Sequence, residues 1–164
     1  MTRLTALTAI ALGVATVATS MPTAADARNA SRQRCVAVTE EGVNAQFARF
    51  TGAWATLNPD TVTDLFASNG TLLPTVSNRY RTDRAGIRDY FVSFLRNRPA
   101  AVVTDSRTVL GCNMAIRTGN WTVTLTNPDT GVQTPVGARF SFVYTYENGD
   151  WKIAHLHSSV LPPS

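Results

Sequence analysis

A chain of 164 residues with a formal net charge of +4 provides one domain and an N-terminal leader. The basic residues, 14 arginines and Lys152, are scattered, and no cluster alternates with aromatic residues as a nucleic-acid groove requires. No apolar stretch after the first 27 residues is long enough to cross a membrane. The sequence therefore argues against nucleic-acid binding and against a membrane span in the main part of the chain.

The N-terminus has the pattern of a secretory signal peptide. Arg3 supplies the positive charge, residues 4–18 form an apolar run, and Ala25 and Ala27 give the small-x-small cleavage pattern. We predict a signal peptide over residues 1–27, cleavage after Ala27, and a secreted or periplasmic protein. Residues 28–34 are polar, and segment 28–38 is predicted to be flexible and to precede the domain at 39–162.

Cys35 and Cys112 are the two cysteines, and both lie after the predicted cleavage point. Because exported proteins can keep disulfides, we predict that the two pair and tie the N-terminal segment to a central strand. The alternative is a pair of buried free thiols.

The first predicted element is a long amphipathic helix. Thr39 can cap it, and Glu40 and Glu41 stand in its first turn, where acidic side chains are favoured. Large apolar residues then follow at intervals of 4, 3, 4 and 3: Val43, Phe47, Phe50, Trp54 and Leu57. This spacing predicts one apolar face along the helix.

Two shorter helices and a strand are predicted next. Asn58 and Pro59 start a second helix that carries Val62, Leu65 and Phe66 and ends at residues 68–70. Residues 71–74 form a short strand. Thr82 or Asp83 caps a third helix with an apolar face, and Pro99 prevents its continuation. That face consists of Ile87, Tyr90, Phe91, Phe94 and Leu95.

From Val102 onward the apolar period changes to two, which fits four antiparallel strands. Asn148-Gly149 predicts a type I′ hairpin between the last two of them. Helices followed by a run of strands indicate an α+β fold, with a curved antiparallel sheet wrapped around the long helix.

Several blocks of this sequence resemble the association domain of calcium/calmodulin-dependent protein kinase II, within the nuclear transport factor 2-like superfamily. The most specific block is 149–159, Gly-Asp-Trp-Lys-Ile-Ala-His-Leu-His-Ser-Ser, and 72–75, 87–95, 111–113 and 138–144 strengthen the match. The resemblance implies a cone with one deep pocket between the long helix and the concave sheet. It also implies subunits that associate through the sheet, as a dimer or larger homo-oligomer. It does not imply kinase activity or calmodulin binding.

His155 and His157 are the two histidines of the chain, and an i, i+2 spacing on a strand places both on one face, with Trp151 and Ile153. We predict that they line the pocket. No Cys or carboxylate stands at a spacing that would complete a metal site, so neither a metal nor a cofactor is predicted. A structural interpretation, two hydrogen-bonded histidines at a cavity wall or subunit interface, stays open.

The remaining predicted ligand-binding residues are two arginines and three aromatic residues. Arg79 and Arg139 are candidates because burying an arginine near an apolar pocket costs free energy unless the guanidinium meets an anion. The alternation of the strand, however, places the Arg139 side chain on the opposite face of the sheet from Phe140. Surface or interface pairing is the alternative for both. Trp54, Tyr90 and Phe94 complete the set, with the Tyr90 hydroxyl able to orient a ligand.

No catalytic constellation is evident. Asp105 is in phase with Val103 and Val109 but is expected to pair with Arg107, and Asp64 and Asp89 are expected to be solvated. Ser158 and Ser159 beside His157 lack an orienting partner, since neighbouring strand residues face opposite ways.

Three functions are compatible with these residues. The preferred hypothesis is an exported, self-associating domain that binds a small organic anion or an apolar ligand. The alternative is a SnoaL-like isomerase, cyclase or dehydratase with His155 or His157 as base and Tyr90 as proton donor. A secreted adaptor for another protein is the third hypothesis.

Overall fold

The structure, a computed structural model, describes residues 35–162. Within this range, three α-helices precede the main run of strands: α1 (Glu40–Trp54), α2 (Pro59–Thr63) and α3 (Arg84–Phe94), the last extended by a 3-10 turn at Leu95–Asn97. The predicted signal peptide and most of the predicted flexible segment lie outside the described residues. None of the described helices has the length and apolar character that crossing a membrane requires.

Each α-helix begins at a side-chain cap that the sequence contains. The Thr39 side chain accepts a hydrogen bond from the Gly42 N–H, Asn58 caps α2, and Asp83 accepts from the Gly86 N–H. Of the two caps considered for the third helix, Asp83 is therefore the one used. The helix predictions are confirmed in order and type.

In the part of the chain that the structure describes, five strands form one sheet in the order β1-β5-β4-β3-β2. Their bounds are β1 (Phe66–Leu73), β2 (Ala100–Leu110), β3 (Met114–Thr126), β4 (Gln133–Glu147) and β5 (Asp150–Val160). Neighbours among β2 to β5 are antiparallel, whereas β1 runs parallel to β5. The expectation of a wholly antiparallel sheet is wrong for this one edge strand.

The second helix is shorter and the first strand longer than predicted. Helix α2 ends at Thr63, and Phe66 is already in β1, paired with Ile153. The Leu65 carbonyl accepts a hydrogen bond from the Ile153 N–H at 2.8 Å. Pairing with β5 thus satisfies the backbone hydrogen-bonding groups of this segment in an extended conformation. Apolar periodicity alone does not predict this pairing.

The concave face of the sheet holds helix α1, as predicted. The Phe47 ring lies 5.2 Å from that of Phe142 and 5.9 Å from that of Trp121, and Trp54 lies 5.8 Å from Trp121, centroid to centroid. These edge and tilted contacts between helix and sheet are the geometries that aromatic pairs prefer. They make the core of the domain continuous from α1 to the middle strands.

The predicted turn and disulfide are both present. Asn148 and Gly149 have φ values of 52° and 86°, which is the left-handed backbone that a two-residue hairpin requires. Cys35 and Cys112 are bonded to each other across a sequence separation of 77. Cys112 lies in the turn between β2 and β3, not within a central strand, so the bridge joins the segment before α1 to that turn.

Candidate functional site

An apolar cavity of about 40 Å³ lies between α1, α3 and the concave face of the sheet. Its walls are largely aromatic and aliphatic. They include Phe50, Trp54, Leu72, Tyr90, Phe91, Phe94, Trp121, Val123, Leu125, Val136 and Leu156. Segment 74–76, which follows β1, closes one side. Three predicted ligand-binding residues, Trp54, Tyr90 and Phe94, thus line this cavity together.

The cavity wall contains one hydroxyl network. Ser158, which is 6% exposed, accepts a hydrogen bond from Trp121 Nε1 at 3.2 Å and is also hydrogen-bonded to the Thr75 hydroxyl. The sequence context of Ser158, beside His157 but without an orienting partner, did not predict a nucleophile. In the structure this serine joins the segment after β1 to strands β3 and β5, which fixes one wall of the cavity.

Tyr90 lies at the border between the apolar cavity and a more polar depression. That depression is also lined by Ser77, Arg81 and Asp89. The Arg81 guanidinium lies 5.3 Å from the centre of the Tyr90 ring, a cation–π contact. Burial raises the pKa of the Tyr90 hydroxyl above its ordinary value, with Arg81 acting in the opposite direction. The hydroxyl is therefore a neutral donor and acceptor at physiological pH, not a base.

The prediction that His155 and His157 share a face with Trp151 and Ile153 is wrong. Tyr144 pairs with Ile153 and Val143 pairs with His155, so Ala154 is an extra residue that forms a β-bulge. The bulge shifts the alternation by one residue. Leu156 and Ser158 then face the cavity, and the two histidines lie on the convex, outer face of the sheet.

His155 has a structural environment on that outer face. Its Nδ1 lies 2.7 Å from the Thr71 hydroxyl of the neighbouring strand β1. Burial, and next the proximity of His157, lower the pKa of His155 below its ordinary value. His155 is therefore predominantly neutral at pH 7 and is held by a hydrogen bond. Neither histidine is placed to exchange a proton with Tyr90, which was the arrangement expected for an enzyme.

The two predicted arginines also lie outside the apolar cavity. Arg79 is exposed in the segment after β1 and lines a separate groove of about 370 Å³ together with His157. Arg139 is exposed on the outer face of β4, opposite Ser159 of β5. The predicted ligand-binding residues thus fall into two groups, one aromatic and inside, the other basic and outside.

Arg117 is a buried residue of the concave face that the sequence analysis did not single out. It is 8% exposed, its guanidinium lies 4.3 Å from the centre of the Phe47 ring, and one of its nitrogens donates to the Ser106 hydroxyl at 3.1 Å. Its Nε and the nearby Tyr144 hydroxyl have no partner among the described residues. Burial lowers the pKa of Arg117 and raises that of Tyr144. Arg117 stands four residues before Trp121 in the same strand, and this spacing predicts that the two side chains lie on the same face of the sheet. That spacing is the feature of the sequence that could have identified Arg117 as a residue of the concave face.

The acidic residues form no catalytic arrangement in the described part of the chain. The expected pairing of Asp105 with Arg107 is wrong, because the Asp105 carboxylate instead accepts a hydrogen bond from Asn120 Nδ2 at 2.9 Å. A bulge between Val103 and Asp105 places Asp105 on the outer face of the sheet, away from the face of Val103. Asp64 is exposed as expected, although it pairs with Arg84 at 2.6 Å. Within residues 35–162, no three metal-binding side chains are grouped.

Comparisons with known proteins agree with this architecture. Residues 39–162 match the family described as calcium/calmodulin dependent protein kinase II association domain. A solved structure from Xanthomonas campestris assigned to that association domain is 41% identical, covers 74% of this chain and 87% of its own, and superposes with a TM-score of 0.71. A comparison with curated protein sequences gave no match.

Two more distant structures show the same fold. One is a candidate dehydratase of the nuclear transport factor 2-like family from Streptomyces avermitilis, 14% identical, covering 75% of this chain and 97% of its own, with a TM-score of 0.68. The other is a nuclear transport factor 2-like protein from Salmonella enterica, 16% identical, covering 76% and 92%, with a TM-score of 0.65. The α+β cone inferred from the sequence is confirmed.

Proposed function

The chain belongs to the calcium/calmodulin-dependent protein kinase II association domain family, and on that basis we propose that it is an exported, self-associating domain that binds a small ligand in its apolar cavity. The observation that carries the ligand-binding part is the aromatic cavity between α1, α3 and the sheet. Pockets that bind small molecules are concave and mostly apolar, with few polar groups.

Export is supported by two separate features. The first 27 residues have the charge, apolar run and small-residue pattern of a signal peptide. The Cys35–Cys112 disulfide is of a kind that persists in oxidising compartments and is rare in the cytosol. Both features favour a secreted or periplasmic location.

The chemistry of the cavity walls favours one of the two ligand classes that the sequence left open. Among the described residues that line the cavity there is no charged side chain, and its polar groups are hydroxyls and indole nitrogens such as those of Tyr90, Ser158 and Trp121. An anion there would lose its hydration without meeting a cation. The preferred ligand is therefore a small, uncharged, largely apolar molecule. It is smaller than an aromatic ring, because apolar cavities that bind benzene have volumes of about 150 Å³ and this cavity has about 40 Å³.

A cavity-filling substitution tests this assignment. Xenon under pressure is the probe, because it is smaller than benzene, dry apolar cavities bind it, and a ligand that binds the folded state raises the melting temperature. We expect xenon to raise the melting temperature of the wild-type protein by about 4 °C for each kcal/mol of stabilisation, the scale for a domain of this size. Val136→Phe, which fills one wall, is expected to abolish the increase.

Val143→Phe is the matched control, because Val143 lies on the same strand β4 but on the outer face, paired with His155. The control should keep the response to xenon. Native mass spectrometry of protein from its own host would then identify the physiological occupant. An unchanged melting temperature of the wild type with xenon, together with no mass adduct, would contradict the proposal.

Self-association is supported by the family and by an outer apolar patch at the end of β2 and the start of β3, defined as Val109, Met114 and Ile116. Val109 is 53% exposed and Met114 is 44% exposed, and the pairing of Val109 with Ile116 places both of these side chains on the convex face of the sheet. Contiguous exposed apolar side chains mark interaction sites. The proposed occupant of this patch is a second copy of the chain.

Light scattering coupled to gel filtration tests the association. We expect the wild-type protein at micromolar concentration to have the mass of two or more chains, and Val109→Asp to shift it to the monomer, because the carboxylate would lose its hydration in the interface. Val132→Asp is the control, since Val132 is 61% exposed in the β3–β4 connection, away from the patch. A monomeric mass for the wild type would refute self-association.

The enzymatic alternative lacks its expected geometry within residues 35–162. It required His155 or His157 beside Tyr90, and the bulge at Ala154 places both histidines on the opposite face of the sheet from the cavity. The fold shared with the candidate dehydratase from Streptomyces avermitilis does not carry its activity over, because one fold supports many functions.

A further inference from the structure

The groove on the outer side of segment 74–80 differs in chemistry from the apolar cavity. It lies between this segment and the end of β5, and its polar lining includes Ser77, Asn78, Arg79, His157 and Ser159. Among the described residues that line it there is no carboxylate. The groove is therefore rich in hydrogen-bond donors and carries positive charge without a compensating acid.

The charged groups of the groove are not used elsewhere in the described part of the chain. The Arg79 guanidinium makes no ion pair or side-chain hydrogen bond with residues 35–162, whereas Arg81, two positions later, is held by Ser77 and by the Arg79 carbonyl. Arg139, across from Ser159 on the outer face, is likewise unpaired among these residues. Arginines that are free in the folded protein keep their full capacity for bidentate bonding to an oxyanion.

We propose that this groove is a second binding site, specific for an oxyanion such as a carboxylate or phosphate group. Arg79 supplies a planar fork of N–H donors, and His157, Asn78 and Ser159 surround it with further donors. Arg139 adds positive charge on the same face of the sheet. The groove adjoins the apolar cavity, since Thr75 and Ser158 line both. The site does not rest on the proposed function, because Arg79, His157 and Ser159 line the groove and not the cavity.

The two histidines make this site directly observable by NMR. His155 and His157 are the only histidines of the chain, so the imidazole Cε1–H region contains two signals per subunit even in an oligomer. The His157→Gln variant assigns them. Sodium phosphate and sodium acetate are titrated separately, at constant pH and with ionic strength matched by chloride.

We expect the His157 signal to shift and saturate with at least one of the two anions, and the His155 signal to move less. Saturation with phosphate alone identifies a phosphate site, and saturation with acetate alone identifies a carboxylate site. Arg79→Gln is expected to raise the dissociation constant roughly tenfold or more, the loss typical of a charge-assisted hydrogen bond. Arg96→Gln, an exposed arginine of the 3-10 turn, is expected to leave it unchanged.

Two results would overturn the proposal. One is a linear, non-saturating shift of His157 with both anions, which indicates general screening by salt. The other is an equal weakening by Arg79→Gln and Arg96→Gln, which indicates attraction by net charge alone. Circular dichroism of each variant confirms that the fold is retained, so that a loss of binding is assigned to the groove.

Discussion

Replacing Phe50 with Ala is expected to lower the free energy of unfolding by about 3–5 kcal/mol, the range for deleting a buried phenylalanine side chain. Phe50 is 0% exposed, and its ring contacts those of Trp54, Phe66, Phe91 and Phe142 at centroid distances of 5.2 to 6.2 Å. It therefore touches α1, α3 and two strands at once. Urea denaturation followed by circular dichroism measures the loss.

Tyr80→Ala is the matched control for this aromatic truncation. Tyr80 is 65% exposed in the segment before α3, so its removal leaves no cavity and is expected to change the free energy of unfolding by less than about 0.5 kcal/mol. A loss below about 1 kcal/mol for Phe50→Ala would contradict the packing of helix α1 inside the curved sheet. The assignment of the apolar cavity would fall with it, because Phe50 lines that cavity.

The helical part of the fold could be predicted because its signals are local. The 4, 3, 4, 3 spacing of apolar residues determines which side of α1 faces the sheet, and Val43, Phe47, Phe50 and Trp54 are all buried. The hairpin before β5 is equally local, since Asn148 and Gly149 supply the positive φ values by themselves. Neither feature depends on a residue distant in the sequence.

The position of the histidines could not be predicted, because it depends on one extra residue in a strand. Alternation from Trp151 and Ile153 extrapolates to His155 and His157 only if the strand is regular. The bulge at Ala154 reverses every side chain after it, and its location is fixed by pairing with β4 rather than by local sequence. A second bulge, near Thr104, has the same effect in β2: it places Asp105 on the opposite face of the sheet from Val103.

The two proposed sites also depend on contacts between distant parts of the chain. Arg79 and His157 meet in the outer groove because segment 74–80 folds back over the end of β5. Trp54, Tyr90 and Trp121 come from two helices and a strand. Most of these residues could be identified from the sequence as aromatic side chains or cations near the sheet. The sequence predicted that they line one pocket, whereas the aromatic residues line the apolar cavity and Arg79 and His157 line the outer groove.

Removing the disulfide by Cys35→Ala/Cys112→Ala is expected to lower the free energy of unfolding by about 4 kcal/mol, according to the chain-entropy relation for a loop of this length. The two cysteines are separated by 77 positions, so the bridge restricts a large part of the unfolded chain. In the folded state the neighbouring Val36 N–H still donates to Asn113 Oδ1 at 2.7 Å. The variant should therefore retain the fold while its urea midpoint decreases.

Reduction of the wild-type protein provides the internal control for this prediction. Dithiothreitol should move the wild-type midpoint to that of the double variant and should leave the variant unchanged. Alkylation of the native exported protein without reduction should modify no cysteine. Two alkylated thiols in that experiment, or a wild-type midpoint insensitive to reduction, would show that the bridge does not form in the exported protein. The support that it gives to an oxidising location would then be lost, while the fold and both proposed sites, which do not contain these cysteines, would stand.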